Sequence, residues 1–153
     1  MKIKNSTRVW VCPTDTVYGL SARLNDTEAI TRIKNIKKRP DDKKFITLLS
    51  DVSDLNKFSI ILNRRQWDFL QKIWPGPVTV IIGEQSFRVP DYLELQALIK
   101  DVGPIISTSA NYHKQEPVTN IEQAKLMFGD KVDEYLNGGE LKNPPSTIIK
   151  LIR

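Results

Sequence analysis

Pro13-Thr14-Asp15-Thr16-Val17-Tyr18-Gly19-Leu20 is the stretch that decides how this chain folds and what it can hold. Just before it, Val9-Trp10-Val11-Cys12 gathers β-branched and aromatic residues, so Arg8 to Pro13 reads as a short buried strand. The stretch itself leaves that strand as a turn. Thr14 and Thr16 can each donate and accept a hydrogen bond, and Tyr18 supplies a rigid aromatic wall. The same residues suit either of two structures. One is a turn closed by Asx and Ser/Thr bonds to its own backbone. The other is a loop that holds a small polar ligand such as an amino acid.

Further along, Asp26-Thr27-Glu28 offers an N-cap and a first-turn acid, and Ala29, Ile30, Ile33 and Ile36 recur at helical spacing. The spacing predicts a helix from about 26 to 37. Pro40 disfavours its continuation and makes Arg39 a boundary residue. Phe45 to Leu49 reads as a buried strand. Asn63 is placed to cap a helix over about 64–73, carrying Trp67, Phe69, Leu70 and Ile73. Pro75-Gly76-Pro77 ends it, Val78 to Ile82 forms a strand, and Phe87 to Val89 forms a shorter one stopped by Pro90. Leu93, Leu95, Leu98 and Ile99 predict a helix closing near Val102-Gly103. Ile105-Ile106 begins a strand that runs into Ser107-Thr108-Ser109. A helix over Ile121 to Phe128 and a final strand over Thr147 to Ile152 complete the series. Strands alternating with helices give the α/β class with a mixed sheet. A length of 153 residues suits a single domain over 1–153.

Composition narrows the partners only slightly. The net charge of +5 favours nucleotides, RNA or phosphorylated substrates without choosing among them. No apolar run approaches the length of a membrane span, and the polar start Met-Lys-Ile-Lys-Asn-Ser has no signal-peptide core. Cys12 is the only cysteine and reads as a buried strand thiol. A chain without an internal disulfide suits the cytoplasm. With one cysteine and one histidine, a Cys/His zinc site is not supported. His113 lies in the polar stretch Tyr112-His113-Lys114-Gln115-Glu116 and reads as a solvated loop residue, which leaves no Ser-His-Asp triad. G-x-x-x-x-G-K-[ST], G-x-G-x-x-G and G-x-S-x-G are all absent.

Three more polar clusters stand out. Lys34, Lys37, Lys38 and Arg39 crowd the predicted helix end. Cations there complement the helix dipole, or Lys37 and Arg39 project toward a triphosphate as a point charge and a planar fork. Ser107-Thr108-Ser109-Ala110-Asn111 sits at a strand's carboxyl end, where α/β sheets bind ligands; it is a polar turn or an anion-binding concavity. Ser146 and Thr147 in Pro145-Ser146-Thr147-Ile148-Ile149 either exit a loop or close a pocket. Trp74-Pro75-Gly76-Pro77-Val78-Thr79 reads as structural, a helix stop and a strand start.

Taken in order, PTDTVYGL, K-x-R-P, WPGPVT, R-V-P, STSAN and PSTII resemble the pattern of YrdC-like threonylcarbamoyl-AMP synthases, from about Val9 to Ile149. The resemblance implies a YrdC-like α/β fold with a twisted mixed sheet, flanking helices and a deep, positively lined concave face. It implies that L-threonine, bicarbonate and ATP, with Mg²⁺ carried on the nucleotide, give threonylcarbamoyl-AMP and pyrophosphate. A separate tRNA threonylcarbamoyl-transferase complex then uses the product, and direct RNA or tRNA contact is possible. Carried over by position, Thr14, Arg88, Ser107 and Ser146 are the threonine-binding residues. Lys37, Arg39, Ser109 and Asn111 meet ATP, with Lys37 and Arg39 as the catalytic cations, and Arg153 is a further ATP candidate. No protein-bound metal is expected.

The chain departs from the family in places. Ser21 stands where many members have glycine, and no histidine follows K-x-R-P in Phe45-Ile46-Thr47-Leu48-Leu49. Against the family pattern, the sequence is expected to do without most of the N-terminal helix, the arginine-proline-glycine ending and the extra C-terminal domain of longer relatives. The rival expectation is a non-catalytic RNA-binding or RNA-chaperone protein that uses the same basic concavity. A carbamoyl-transfer domain of hydrogenase maturation is a weaker rival, because the zinc-finger and acylphosphatase-like parts are absent.

Overall fold

A computed structural model describes residues 8–38 and 45–152 of the chain. The elements run β1 (Trp10–Cys12), β2 (Gly19–Arg23), α1 (Thr27–Lys37), β3 (Ile46–Leu48), a 3₁₀ segment (Val52–Phe58), α2 (Arg64–Ile73), β4 (Val78–Ile82) and β5 (Gln85–Arg88). They continue with α3 (Leu93–Val102), β6 (Ile105–Ser109), α4 (Ile121–Phe128), a 3₁₀ turn (Gly129–Lys131), β7 (Glu134–Tyr135) and β8 (Thr147–Lys150).

The helices start where the sequence supplies caps. Asp26 accepts from the Ala29 amide at 3.0 Å to open α1, and Lys38 leaves the helix in the left-handed conformation. Asn63 and Gln66 form a reciprocal capping box on α2: the Gln66 amide reaches Asn63 Oδ1 at 2.8 Å and the Asn63 amide reaches Gln66 Oε1 at 3.0 Å. Removing such a cap costs about 1 kcal/mol.

All eight strands form one mixed sheet in the order β7-β1-β2-β6-β3-β5-β4-β8. The β1–β7, β3–β5 and β4–β8 pairs are parallel and the others antiparallel. Cross-strand partners share a face, so register sorts the side chains into two layers. On one face, Val9, Val11, Leu20, Ala22 and Ile106 pack under α1 and α4, while Val80 and Phe87 pack under α2 and the first 3₁₀ segment. On the other face, Trp10, Cys12, Leu48 and Ile105 meet Leu95, Leu98 and Ile99 of α3. Each large apolar side chain buried this way contributes roughly 1.5–3 kcal/mol.

β2 lies where the sequence suggests the end of a turn. Gly-Leu-Ser-Ala-Arg has little β character of its own, but β1 and β6 pair with it on both sides. Its small residues let β6 come close. A Cβ added at Gly19 would lie 2.6 Å from Ser107 Oγ and 3.3 Å from the Thr108 carbonyl oxygen.

β7 and β8 are consecutive in sequence yet occupy opposite edges of the sheet. The 136–146 strap joins them and is pinned on the way. The Tyr18 hydroxyl accepts from the Gly138 amide at 2.9 Å and donates to the Gly139 carbonyl at 2.7 Å. The Leu141 amide donates to the Thr119 carbonyl at 2.8 Å, and Asn143 Nδ2 donates to the Asp15 carbonyl at 3.2 Å.

Candidate active site

α3 covers only part of its face. The remainder is a cavity of about 340 Å³, floored by β2, β6, β3, β5 and β4 and rimmed by the turn 13–18 and the end of the strap. That volume suits a small-molecule site. Thr14, Arg88, Ser107 and Ser146, the expected threonine-binding set, all line it, and so does Ser109. They come from separate elements, brought together by the sheet register. Ser21, Ser107, Ile46 and Ser86 succeed one another across β2, β6, β3 and β5, while Leu48 and Arg88 form the neighbouring row.

Thr14 closes its own turn while it lines the cavity. Its hydroxyl donates to the Val17 carbonyl at 2.7 Å, accepts from the Thr16 amide at 3.0 Å and lies 3.1 Å from the Thr16 hydroxyl. The stretch is therefore a Ser/Thr turn whose surface forms one wall of the cavity.

Arg88 is 4% exposed, and three of its five N–H donors are bonded within the protein. Nε donates to the Gly76 carbonyl at 3.1 Å, one terminal nitrogen donates to Thr16 Oγ1 at 3.0 Å, and the other pairs with Asp15. Burial pulls the guanidinium below its ordinary value, and Asp15 opposes that shift. An arginine keeps its charge regardless. The cavity thus carries a fixed cation with one carboxylate already beside it.

Lys37 reaches the site from the last turn of α1 and is 4% exposed. Its ammonium donates to the Ser109 carbonyl at 2.8 Å, to the Ser109 hydroxyl at 3.3 Å and to Asn111 Oδ1. The Ser109 hydroxyl in turn donates to Asn111 Oδ1 at 2.9 Å. Three of the residues expected at ATP are therefore one hydrogen-bonded cluster. Ser109 belongs to both groups, since it holds Lys37 and also lines the cavity. Arg39 and Arg153, the other two expected at ATP, lie outside the described residues.

The cavity also uses residues that the sequence did not single out as ligand-binding. Ile46, Leu48, Ile81, Ser86 and Ile148 line it, beside the Thr16 of the turn. Thr79 does too, although WPGPVT reads as purely structural, and its hydroxyl pairs with that of Ser146 at 2.7 Å. Alternation along β5 is the signal that would have found Ser86, two residues before Arg88 on the same face. Cys12 is fully buried, and burial pushes its thiol up to about 12. His113 is exposed. Among the described residues, no cluster of His, Cys, Asp and Glu is placed to hold a metal ion, and no helix is long and apolar enough to cross a membrane.

The family model Sua5_yciO_yrdC, described as "Telomere recombination", matches residues 3–153. Among curated proteins, the chain is 29% identical to a putative threonylcarbamoyl-AMP synthase of Methanocaldococcus jannaschii, over 94% of this chain and 74% of that protein. It is 31% identical to the threonylcarbamoyl-AMP synthase of Serratia proteamaculans, over 76% of this chain and 71% of that one. Among solved structures, P. abyssi Sua5 complexed with L-threonine superposes with a TM-score of 0.84 at 27% identity over 95% of this chain. The chain spans about half the length of that protein, 47%. E. coli YciO superposes with a TM-score of 0.84 at 27% identity, over 96% of this chain and 79% of that one. Motif order, sheet topology and these matches agree, and the chain belongs to the Sua5/YciO/YrdC family.

Proposed function

We propose that this chain, as one domain over residues 1–153, is a threonylcarbamoyl-AMP synthase. It would make threonylcarbamoyl-adenylate and pyrophosphate from L-threonine, bicarbonate and ATP, for transfer to tRNA by a separate complex in the cytoplasm. The observation that carries this proposal is the junction at Ser109. A hydroxyl-lined cavity with a buried arginine adjoins a buried lysine cluster through that one residue. The first suits an amino acid and the second a nucleotide. The solved relative that holds L-threonine supports the first assignment.

The chemistry fits the charges available. The neutral threonine amine takes up carbon dioxide derived from bicarbonate and becomes an N-carboxylate, its lost proton combining with the hydroxide that bicarbonate releases to give water. A carbamate oxygen then attacks the α-phosphorus of ATP, a new P–O bond forms, and the bond to the bridging oxygen breaks as pyrophosphate leaves. Both reactants are anionic, and two unit charges 4 Å apart interact by about 4 kcal/mol at an effective dielectric of 20. Lys37 and Arg39, with Mg²⁺ brought on the nucleotide, are the groups that offset this repulsion. Arg88 faces the threonine carboxylate, and the turn at Thr14 and the Ser146 hydroxyl close around the amino acid. No general base is required, since the step can run on positioning and electrostatics.

The test is pyrophosphate release from ATP and bicarbonate with L-threonine, with serine and with no amino acid. Release that depends on threonine supports the assignment. RNA affinity that falls steeply with salt, without threonine-dependent turnover, would replace it with a non-catalytic RNA-binding role.

A further inference from the structure

Ser21 is wholly buried and stands opposite Ser107 across the β2–β6 ladder. Its hydroxyl donates to Ser107 Oγ at 3.0 Å. A hydroxyl has a single hydrogen, so Ser21 has none left for any other acceptor, but its oxygen can still accept. The hydrogen therefore runs from Ser21 to Ser107. Ser107 Oγ is already an acceptor on its sheet side, and Ser107 lines the cavity. Its own hydrogen is the one left to meet a ligand.

We infer that Ser21 is a positioning residue that fixes the Ser107 hydroxyl as a hydrogen-bond donor into the cavity, where it selects an acceptor oxygen of the amino-acid substrate. Glycine at position 21 would leave that hydroxyl free to turn toward other partners. The choice of ligand rests on the threonine reading above, whereas the Ser21–Ser107 bond does not.

Two measurements test this. Calorimetry on Ser21→Ala should show threonine binding weakened roughly five- to tenfold, the value of one oriented hydrogen bond, with ATP binding unchanged. Adding Ser21→Ala to Ser107→Ala should weaken threonine binding no further. Neutron diffraction from the deuterated protein supplies the second readout: the Ser21 hydroxyl deuterium should point at Ser107 Oγ, and the Ser107 deuterium should point into the cavity. A folded Ser21→Ala protein with unchanged threonine affinity, or with threonine and ATP weakened alike, overturns the inference. So does a Ser107 deuterium directed at Ser21. A wild-type protein that binds no threonine, but whose two deuterium positions are those expected, upholds the orientation of Ser107 and removes the proposed substrate.

Discussion

Replacing Gly19 by alanine should damage the cavity floor while adding only one methyl group. The new Cβ would sit 2.6 Å from Ser107 Oγ and 3.3 Å from the Thr108 carbonyl oxygen. The first distance is far inside van der Waals contact, and the second is tight. The carbonyl belongs to the β2–β6 ladder and moves little, so the Ser107 hydroxyl must swing away. That breaks its bond to Ser21 and leaves a buried hydroxyl unpaired, at a cost of about 1–3 kcal/mol. Overpacking of a close-packed strand pair costs typically about 1–3 kcal/mol as well, and the two overlap because rotation relieves the clash. A net loss of about 2 kcal/mol corresponds to a Tm lower by roughly 4–8 °C for a chain of this size. Threonine affinity should fall about tenfold or more, since 1.4 kcal/mol is a factor of ten. Thermal melts and threonine titrations of the pyrophosphate assay read the two effects separately. In a Ser107→Ala background the obstructing atom is gone, so Gly19→Ala should then cost much less stability. A Gly19→Ala protein with wild-type Tm and wild-type threonine dependence would refute the close-approach reasoning.

Lys37→Ala should lower ATP-dependent product formation on the order of 100-fold, because it removes a buried cation at the proposed phosphate site. Near-normal turnover in a folded variant would remove Lys37 from that role. Thr14→Val should weaken threonine binding through the turn as a whole, since its hydroxyl bonds Val17 and Thr16; calorimetry that shows unchanged affinity would detach the turn from the pocket. Asp54 is 8% exposed and accepts from the Ser50 amide and hydroxyl, each at 2.8 Å, with Lys57 at 3.3 Å. Burial pushes its carboxyl up, but the Ser50 bonds and Lys57 outweigh that and hold it below its ordinary value. A depressed carboxyl stabilises the fold above its unfolded pKa, and that contribution is lost as pH falls through the folded pKa. Asp54→Asn should therefore cost about 1–2 kcal/mol at pH 7, with the gap to wild type closing below about pH 4. Denaturant melts across pH that show a constant gap would contradict this.

Elements with local signals were legible in the sequence. Asn63 with Gln66 announces α2, Asp26 announces α1, and the Val78–Ile82 run coincides with β4. β2 was not legible, because Gly19 to Arg23 carries small residues chosen for close approach rather than strand propensity, and only pairing on both sides makes it a strand. β7 spans only two residues, and the 3₁₀ segment Val52–Phe58 is held by the Asp51 and Asp54 side chains rather than by an apolar period. At the site, polar residues in compact motifs were visible one by one. Their meeting was legible only through the family resemblance, which grouped Thr14, Arg88, Ser107 and Ser146; local chemistry could not show it, because strand order joins them. Thr79 escaped notice because prolines and a glycine dominate its segment, while its role depends on β8 lying alongside.

The strap between β7 and β8 has little slack. At about 4.8 Å per strand, the edges of a flat eight-stranded sheet stand about 34 Å apart, and the twelve Cα–Cα steps across the strap reach about 40–43 Å at full stretch. Loop shortening, harmless at most surfaces, is costly here: losing three residues would leave about 30–32 Å of reach, less than that flat span, and would strip the strap of its pinning bonds. Added residues, by contrast, would only loosen the rim that carries Ser146. Length variation in this segment should run toward insertion alone.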